Sequence, residues 1–307
     1  MKIVGVEAYK MVKPFWGQPE DNFILYMDIL GGEKIIQSPQ IGILSTSLEY
    51  TLKELKRVKQ LHGADDVYFK MFSDNIIVCS ANNYEFLLLV AAGWQKHLAT
   101  FGIFLRGAMC HGSVIKNADF ILGDGLVKAY QLENKQAKFP RVLVDKSFIN
   151  ALPCQETINS VSSRYLCRDN GDILYVHYLK EASLTYDKTT MINLLMEHTF
   201  RIKLNLFWNS EITEFTQEEQ EKNVQGSINK KYEWLRDYHN AFIRNENYDS
   251  RFIIDNDSSK WRDSLVVHLN VNLKWLPDDH DVVKNLQDKI NTTMLKSSSS
   301  TDIPSGL

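Results

Sequence analysis

Two short stretches each place a single carboxylate among residues that otherwise read as buried strand. In "YFKMFSDNIIVCS", from Tyr68, Asp74 stands between two apolar runs with Asn75 beside it. In "FILYMDILGGEK", from Phe23, Asp28 interrupts an apolar run that ends at Gly31 and Gly32. Side chains alternate across a strand, so Ile24, Tyr26 and Asp28 share one face while Phe23, Leu25 and Met27 take the other. If the two stretches pair, the carboxylates meet on one edge of the sheet about 5 Å apart, the ordinary cross-strand separation. Two carboxylates that close repel unless a cation lies between them. A hard divalent cation with oxygen ligands, Mg²⁺ or Mn²⁺, resolves that conflict and normally shares its coordination with substrate phosphates. Two solvated turn carboxylates fit the same spacing, since Asp is common in turns. Spacing alone does not separate the two readings.

The elements that must position these residues follow from periodicity. Residues 22 to 30 read as a strand, and "SLEYTLKELKRVKQL" has helical spacing through Leu48, Leu52, Leu55 and Val58. Residues 67 to 72 and 75 to 80 read as a hairpin around the "SDN" corner. "NYEFLLLVAAGWQKHLATFG" reads as a long apolar helix ending near Gly102, "IFLRGAMCHGSVI" as a strand, "DGLVKAYQLENKQAK" as a helix, and "RVLVD" as a strand. The order β-α-β-β-α-β, with a further α-β, predicts an α+β fold: a ferredoxin-like antiparallel sheet with helices on one face. This domain is expected over 1–150. Residues 151–290 are read as an extension made of a hairpin turned at Asn170 and Gly171 and helices on either side of "TQEEQEKN". The Ser-rich stretch 291–307 is read as a disordered tail.

Composition bounds the partners. The 307 residues suffice for a substantial core, and 35 Lys plus Arg against 38 Asp plus Glu gives a net charge of -3. That balance provides no global attraction to nucleic acid or an anionic membrane. The cysteines, Cys79, Cys110, Cys154 and Cys167, lack metal spacing and read as buried reduced thiols. No apolar run approaches the roughly 20 residues that span a bilayer, and the first residues mix charge into apolar sequence, so a cytoplasmic protein is expected. His111, His177, His198 and His239 share no metal spacing and read as surface or packing residues.

"FILYMDILGG", "FKMFSDNIIVCS", "LRGAMCHGSVI" and "ILGDGLVKAYQLE" occur in the order of the core segments of class III nucleotide cyclases, and the chain resembles that family over about residues 20 to 145. The resemblance implies that Asp28 and Asp74 are catalytic and hold two metal ions, Mg²⁺ or Mn²⁺, with the carbonyl of Ile29 as a further ligand. The ions would position the ribose 3′-hydroxyl and α-phosphate of a nucleoside triphosphate, giving a 3′,5′-cyclic nucleotide and pyrophosphate. Gly31 and Gly32 would leave backbone N–H groups open to phosphate. Lys70 occupies the position where adenylate cyclases place a base-reading lysine. An edge lysine covering apolar surface with its stem is the alternative.

The family's helical Asn and Arg, four residues apart, are replaced here by Val127 and Gln131. Lys128 or Arg141 is a candidate for the missing positive charge, and Arg106 reads as a scaffold or interface ion-pair residue. The run "GDGLVKAYQLENKQAKFPRVLVD", "FSDNI" and the late "KYEWLRDYHN" are similar to the pyrimidine nucleotide cyclases of bacterial Pycsar antiphage systems. That similarity implies a homodimer with composite active sites, UTP or CTP as substrate with UTP slightly favoured, and a product that acts on a separate effector protein. Ile24 and Phe72, on the substrate face that the resemblance implies, are then expected to be covered by the partner subunit. The competing readings are an adenylate cyclase and a catalytically silent cyclase-like domain that binds nucleotide.

Overall fold

The computed structural model describes residues 18–37, 41–117, 120–169, 172–209, 217, 224–273, 288 and 291–292. The turn expected at Asn170 and Gly171, most of "TQEEQEKN" and the Ser-rich stretch from 293 lie outside the described residues. The chain divides into two compact units, Met1–Asp187 and Lys188–Leu307.

The first unit runs β1 (Glu20–Ile29), α1 (Gly32–Ile36), α2 (Ile41–Leu61), β2 (Tyr68–Phe72), β3 (Asn75–Ser80), α3 (Tyr84–Ala99), β4 (Leu105–Lys116), β5 (Ile121–Leu122), α4 (Asp124–Gln136) and β6 (Val142–Val144). After these come α5 (Lys146–Asn150), α6 (Gln155–Tyr165), β7 (Leu166–Arg168), β8 (Leu174–Val176) and α7 (Tyr178–Thr185). The fold is mixed α+β, and among the described residues the sheet has eight strands, in the order β2-β3-β1-β4-β6-β8-β7 with β5 paired to β4. The first four strands follow the ferredoxin-like order, with β1 antiparallel to both β3 and β4. The sheet is not wholly antiparallel, because β6 joins β4 in parallel.

β1 is apolar almost without alternation because both of its faces are covered. Phe23 packs on Tyr84 at the start of α3 and on Phe148 of α5, while Phe69, on the same face, meets Trp94 of α3. The opposite face carries Ile24, Tyr26, Cys79, Cys110 and Val114, which cluster with Ala129 of α4 and with Leu126 and Leu132 beside it. Helices therefore flank both faces, where one face was expected. Full burial of side chains such as Ile24, Leu25 and Met27 is worth roughly 1.5–3 kcal/mol each.

The approach of α4 depends on two glycines. A Cβ on Gly112 of β4 would stand 2.7 Å from the Cα of Gly125, and one on Gly125 would strike Ile24. Asp124 fixes the start of the helix by accepting from the backbone N–H of Ser113 at 3.1 Å. Ile24 is consequently buried beneath α4, not left for a partner subunit to cover. Phe72 is 79% exposed, as expected for that end of the hairpin. Cys79 and Cys110 are buried free thiols that burial pushes up to about 11 and about 12, whereas Cys154 is exposed.

The second unit contains α8 (Lys188–Phe207), α9 (Val224–Asn245), a 3-10 turn (Ser250–Phe252) and α10 (Ser259–Leu273). The aromatic periodicity of "KYEWLRDYHN" serves packing: Tyr232, Leu235 and Tyr238 are buried, and Trp234 stacks on Tyr238. His198 of α8 and His239 of α9 are fully buried with their Nδ1 atoms 2.9 Å apart. The four histidines share no spacing in sequence, yet these two form a pair in space. Among the described residues no helix is long and apolar enough to cross a membrane.

Candidate functional site

The site is built at one end of the three central strands. Asp28 stands opposite Asn75 of β3 on one side and Arg106 of β4 on the other. Asp74 is not a strand residue: with Ser73 it forms the two-residue turn between β2 and β3, and Ser73 takes a left-handed φ of 56°. Strand alternation from Lys70 therefore does not fix the direction of Asp74. What fixes its position is the backbone N–H of Ile29, which donates to the Asp74 carbonyl at 3.2 Å and ties the turn to the end of β1.

The chain then bends at Gly31, whose φ of 73° is left-handed, and Gly32 opens the short helix α1. A Cβ on Gly32 would lie 2.5 Å from Asp74 Oδ2 and 2.7 Å from its Cβ. Only a residue without a side chain leaves room for this carboxylate over the loop. Asp28, Ile29, Gly31, Gly32 and Asp74 thus come together. Lys70, exposed on β2 and paired in register with Ile77, lies on the sheet face of Tyr26 and Asp28.

Asp28 is not on a solvated edge; its side chain is only 15% exposed. Burial holds its carboxyl above the usual carboxylate range against the opposing pull of Arg106, and the Asp74 carboxylate beside it adds to the rise. Arg106 donates from Nε to Asp28 Oδ2 at 3.0 Å and brings Nη2 within 2.9 Å of the same oxygen. The Arg106 Nε also lies 2.8 Å from Glu133 Oε1 of α4, but its N–H points to Asp28, leaving that buried Glu133 oxygen without a hydrogen bond. Burial raises the Glu133 carboxyl too, with Asp28 and Asp74 contributing and Arg106 opposing. Tyr26 completes the cluster by donating its hydroxyl to Asn75 Oδ1, and burial beside these carboxylates pushes the phenol up to about 12.

The two cations proposed to replace a missing arginine are committed elsewhere. Lys128 reaches Asp145 at 2.5 Å and Ser147 Oγ at 2.8 Å, while Arg141 is buried against Asp169 and the ring of Tyr175. Arg106 is the guanidinium that faces the carboxylates. Its ion pairs are made within the chain, and its connection to Glu133 was missed by sequence reasoning. The available signal was the spacing of "AYQLE": Ala129 and Glu133 are one helical turn apart and both face the sheet. Val127 of α4 is 54% exposed and Gln131 is exposed beside it, while Tyr130 is 48% exposed with its ring edge-on to Tyr26 of β1.

Among the described residues no group of three or more His, Cys, Asp and Glu side chains is arranged to hold a metal ion. The Asp28 and Asp74 pair is nonetheless suited in its donor chemistry to a hard cation that takes its other ligands from backbone and phosphate oxygens. The glycine cradle under Asp74 fits that reading, because it leaves the carboxylate free of side-chain cover on the loop side.

No protein-family model and no curated protein matches the chain. Solved structures similar to it include the monomeric guanylyl cyclase domain of the RhoGC fusion protein from the aquatic fungus Blastocladiella emersonii, at 14% identity over 52% of this chain and 96% of that one, with a TM-score of 0.41. The adenylyl cyclase CyaB from P. aeruginosa is similar at 18% identity, 52% and 95% coverage and a TM-score of 0.37. The guanylyl cyclase Cya2 is similar at 11% identity, 53% and 93% coverage and a TM-score of 0.38.

Proposed function

We propose that this chain is a metal-dependent nucleotidyl cyclase that converts a nucleoside triphosphate to its 3′,5′-cyclic monophosphate and pyrophosphate. The observation that carries the reading is the convergence of Asp28 and Asp74 at a glycine loop where a Cβ on Gly32 would displace Asp74. Asp28, Asp74 and the carbonyl of Ile29 are the groups that would hold Mg²⁺ or Mn²⁺. When bound, such ions lower the pKa of the attacking hydroxyl and neutralise charge on the leaving pyrophosphate.

The chain's own residues have separate tasks. Gly31 and Gly32 present backbone N–H groups to phosphate without side-chain obstruction. Lys70, exposed on the same sheet face, contacts base or phosphate. Arg106 neutralises Asp28 until substrate and cation arrive, with Glu133 as its second anchor. The match of the "AYQLE" and "PR" run to pyrimidine cyclases supports UTP or CTP as substrate, UTP favoured. An antiphage role, with the product acting on a separate effector, rests on the same resemblance.

The exposed apolar residues Phe72, Val127 and Tyr130 support a homodimer whose sites draw on both subunits. One observation favours a second reading, a catalytically silent nucleotide-binding domain: α4 presents Val127 and Gln131 where the family has its Asn and Arg. Incubation with each of the four NTPs and Mn²⁺, with products read by mass spectrometry, separates these readings. Cyclic UMP or cyclic CMP is expected; cyclic AMP alone would select the adenylate cyclase alternative.

A further inference from the structure

In the second unit, α8, the 3-10 turn and α10 line an open pocket of about 380 Å³. That volume falls within the range of small-molecule sites, which is roughly 300–1,000 Å³. Its walls are mainly apolar, with the aromatic residues Phe200, Phe252 and Trp261 among those that line it. Its polar groups are few, and most are already satisfied inside the wall. Thr199 donates to the Leu195 carbonyl at 2.7 Å, Ser264 to the Trp261 carbonyl at 2.8 Å, and the Trp261 indole to the Asp255 carbonyl at 3.1 Å.

Two cations line the same cavity, and among the described residues no acidic one does. Lys203 makes no ion pair or hydrogen bond among the described residues, and burial alone holds its ammonium below the usual lysine range. Arg251 lies over the Phe252 ring and reaches Asp249 only at 3.6 Å, in a pair that is more than half exposed. A half-buried ammonium without a counter-ion is unfavourable, and an anion entering an apolar space offsets that cost. Aromatic walls select a flat body behind the anionic group.

We propose that this cavity binds a small organic anion with a flat apolar body. Its anionic group meets Lys203 and Arg251, and its body lies against Phe200, Phe252 and Trp261. The site is independent of the cyclase reading, and so is its test.

The probe is 1-anilinonaphthalene-8-sulfonate, an aromatic sulfonate whose fluorescence rises in apolar surroundings, titrated into the full-length protein. Saturable binding at one site per chain is expected. Lys203→Met and Arg251→Gln should each weaken it at least tenfold while leaving the circular dichroism unchanged. The uncharged twin, N-phenyl-1-naphthylamine, should bind at least tenfold more weakly than the sulfonate. Ser264→Phe, which fills the cavity, should remove the site. Equal binding of the charged and uncharged probes, or wild-type affinity in both folded charge variants, would overturn the proposal.

Discussion

Arg106 brings Nη2 to 2.9 Å from Asp28 Oδ2 while its Nε stands 2.8 Å from Glu133 Oε1, so one guanidinium lies within ion-pair distance of two carboxylates. Both carboxylates are largely buried, and each would be costly without the cation. Arg106→Met should therefore destabilise the first unit by about 3–5 kcal/mol, the range for breaking a buried pair by removing one partner. Combining it with Glu133→Leu should recover part of that loss, since one of the stranded charges is then gone. Urea denaturation of the single and double variants tests this; a loss below about 1 kcal/mol in Arg106→Met, the range of a surface pair, would contradict it.

The adjacent glycines separate stability from metal binding. Gly31→Ala puts a side chain at φ 73° in open space and should cost roughly 1–2 kcal/mol of stability while leaving Mn²⁺ affinity intact. Gly32→Ala places a Cβ 2.5 Å from Asp74 Oδ2, so the carboxylate must move. Mn²⁺ affinity, measured by electron paramagnetic resonance, should fall about 10–100-fold, as when a ligand's supporting groups are disturbed. Equal Mn²⁺ affinity in the two variants would contradict the cradle.

The exposed apolar residues on the α4 side predict self-association. Phe72→Glu and Val127→Glu, each at a position more than half exposed, should leave the fold intact and shift the protein from dimer to monomer in light scattering. A wild-type monomer at assay concentration would contradict the homodimer.

His198 and His239 set a pH dependence for the second unit. Burial holds both below the ordinary histidine value of 6.5, His239 at about 4 and His198 well below 6.5, where His239 also opposes its protonation. Below pH 6.5 the unfolded chain takes up protons that the folded chain refuses, so stability is complete above 6.5 and declines as pH falls toward about 4. The slope is about 1.4 kcal/mol per pH unit for each histidine. Urea midpoints of the second-unit transition, read by tryptophan fluorescence, to which Trp208, Trp234 and Trp261 contribute there, should fall between pH 7 and pH 5. A flat or rising midpoint would contradict this assignment.

Much of the fold was legible because β1 and the hairpin strands are short apolar runs and α4 has helical spacing, with Gly, Asp or Asn at their ends. The pairing of β1 with β3 was legible as well, since both runs are apolar on both faces. What periodicity could not supply was the side of the sheet that α4 covers. That side depends on the approach of Gly112 to Gly125, a contact between residues thirteen positions apart. For the same reason Ile24 was expected at a subunit interface and Arg106 was not connected to Glu133. The turn at Ser73 and Asp74 was legible in the "SDN" corner between the two runs, but the left-handed φ of Ser73, which helps to aim Asp74, leaves no mark in hydrophobic patterning.

The most direct test of the central claim compares wild type with Asp28→Asn and Asp74→Asn in Mn²⁺-dependent turnover of UTP and CTP, with cyclic product and pyrophosphate quantified together. Wild type should release the two products in equal amounts, and each variant should lose about a thousandfold or more of that rate, since Lewis-acid stabilisation is worth several kcal/mol. Circular dichroism should show both variants folded. Turnover in either folded variant within tenfold of wild type, with unchanged Mn²⁺ dependence, would contradict the assignment of these carboxylates to the metal.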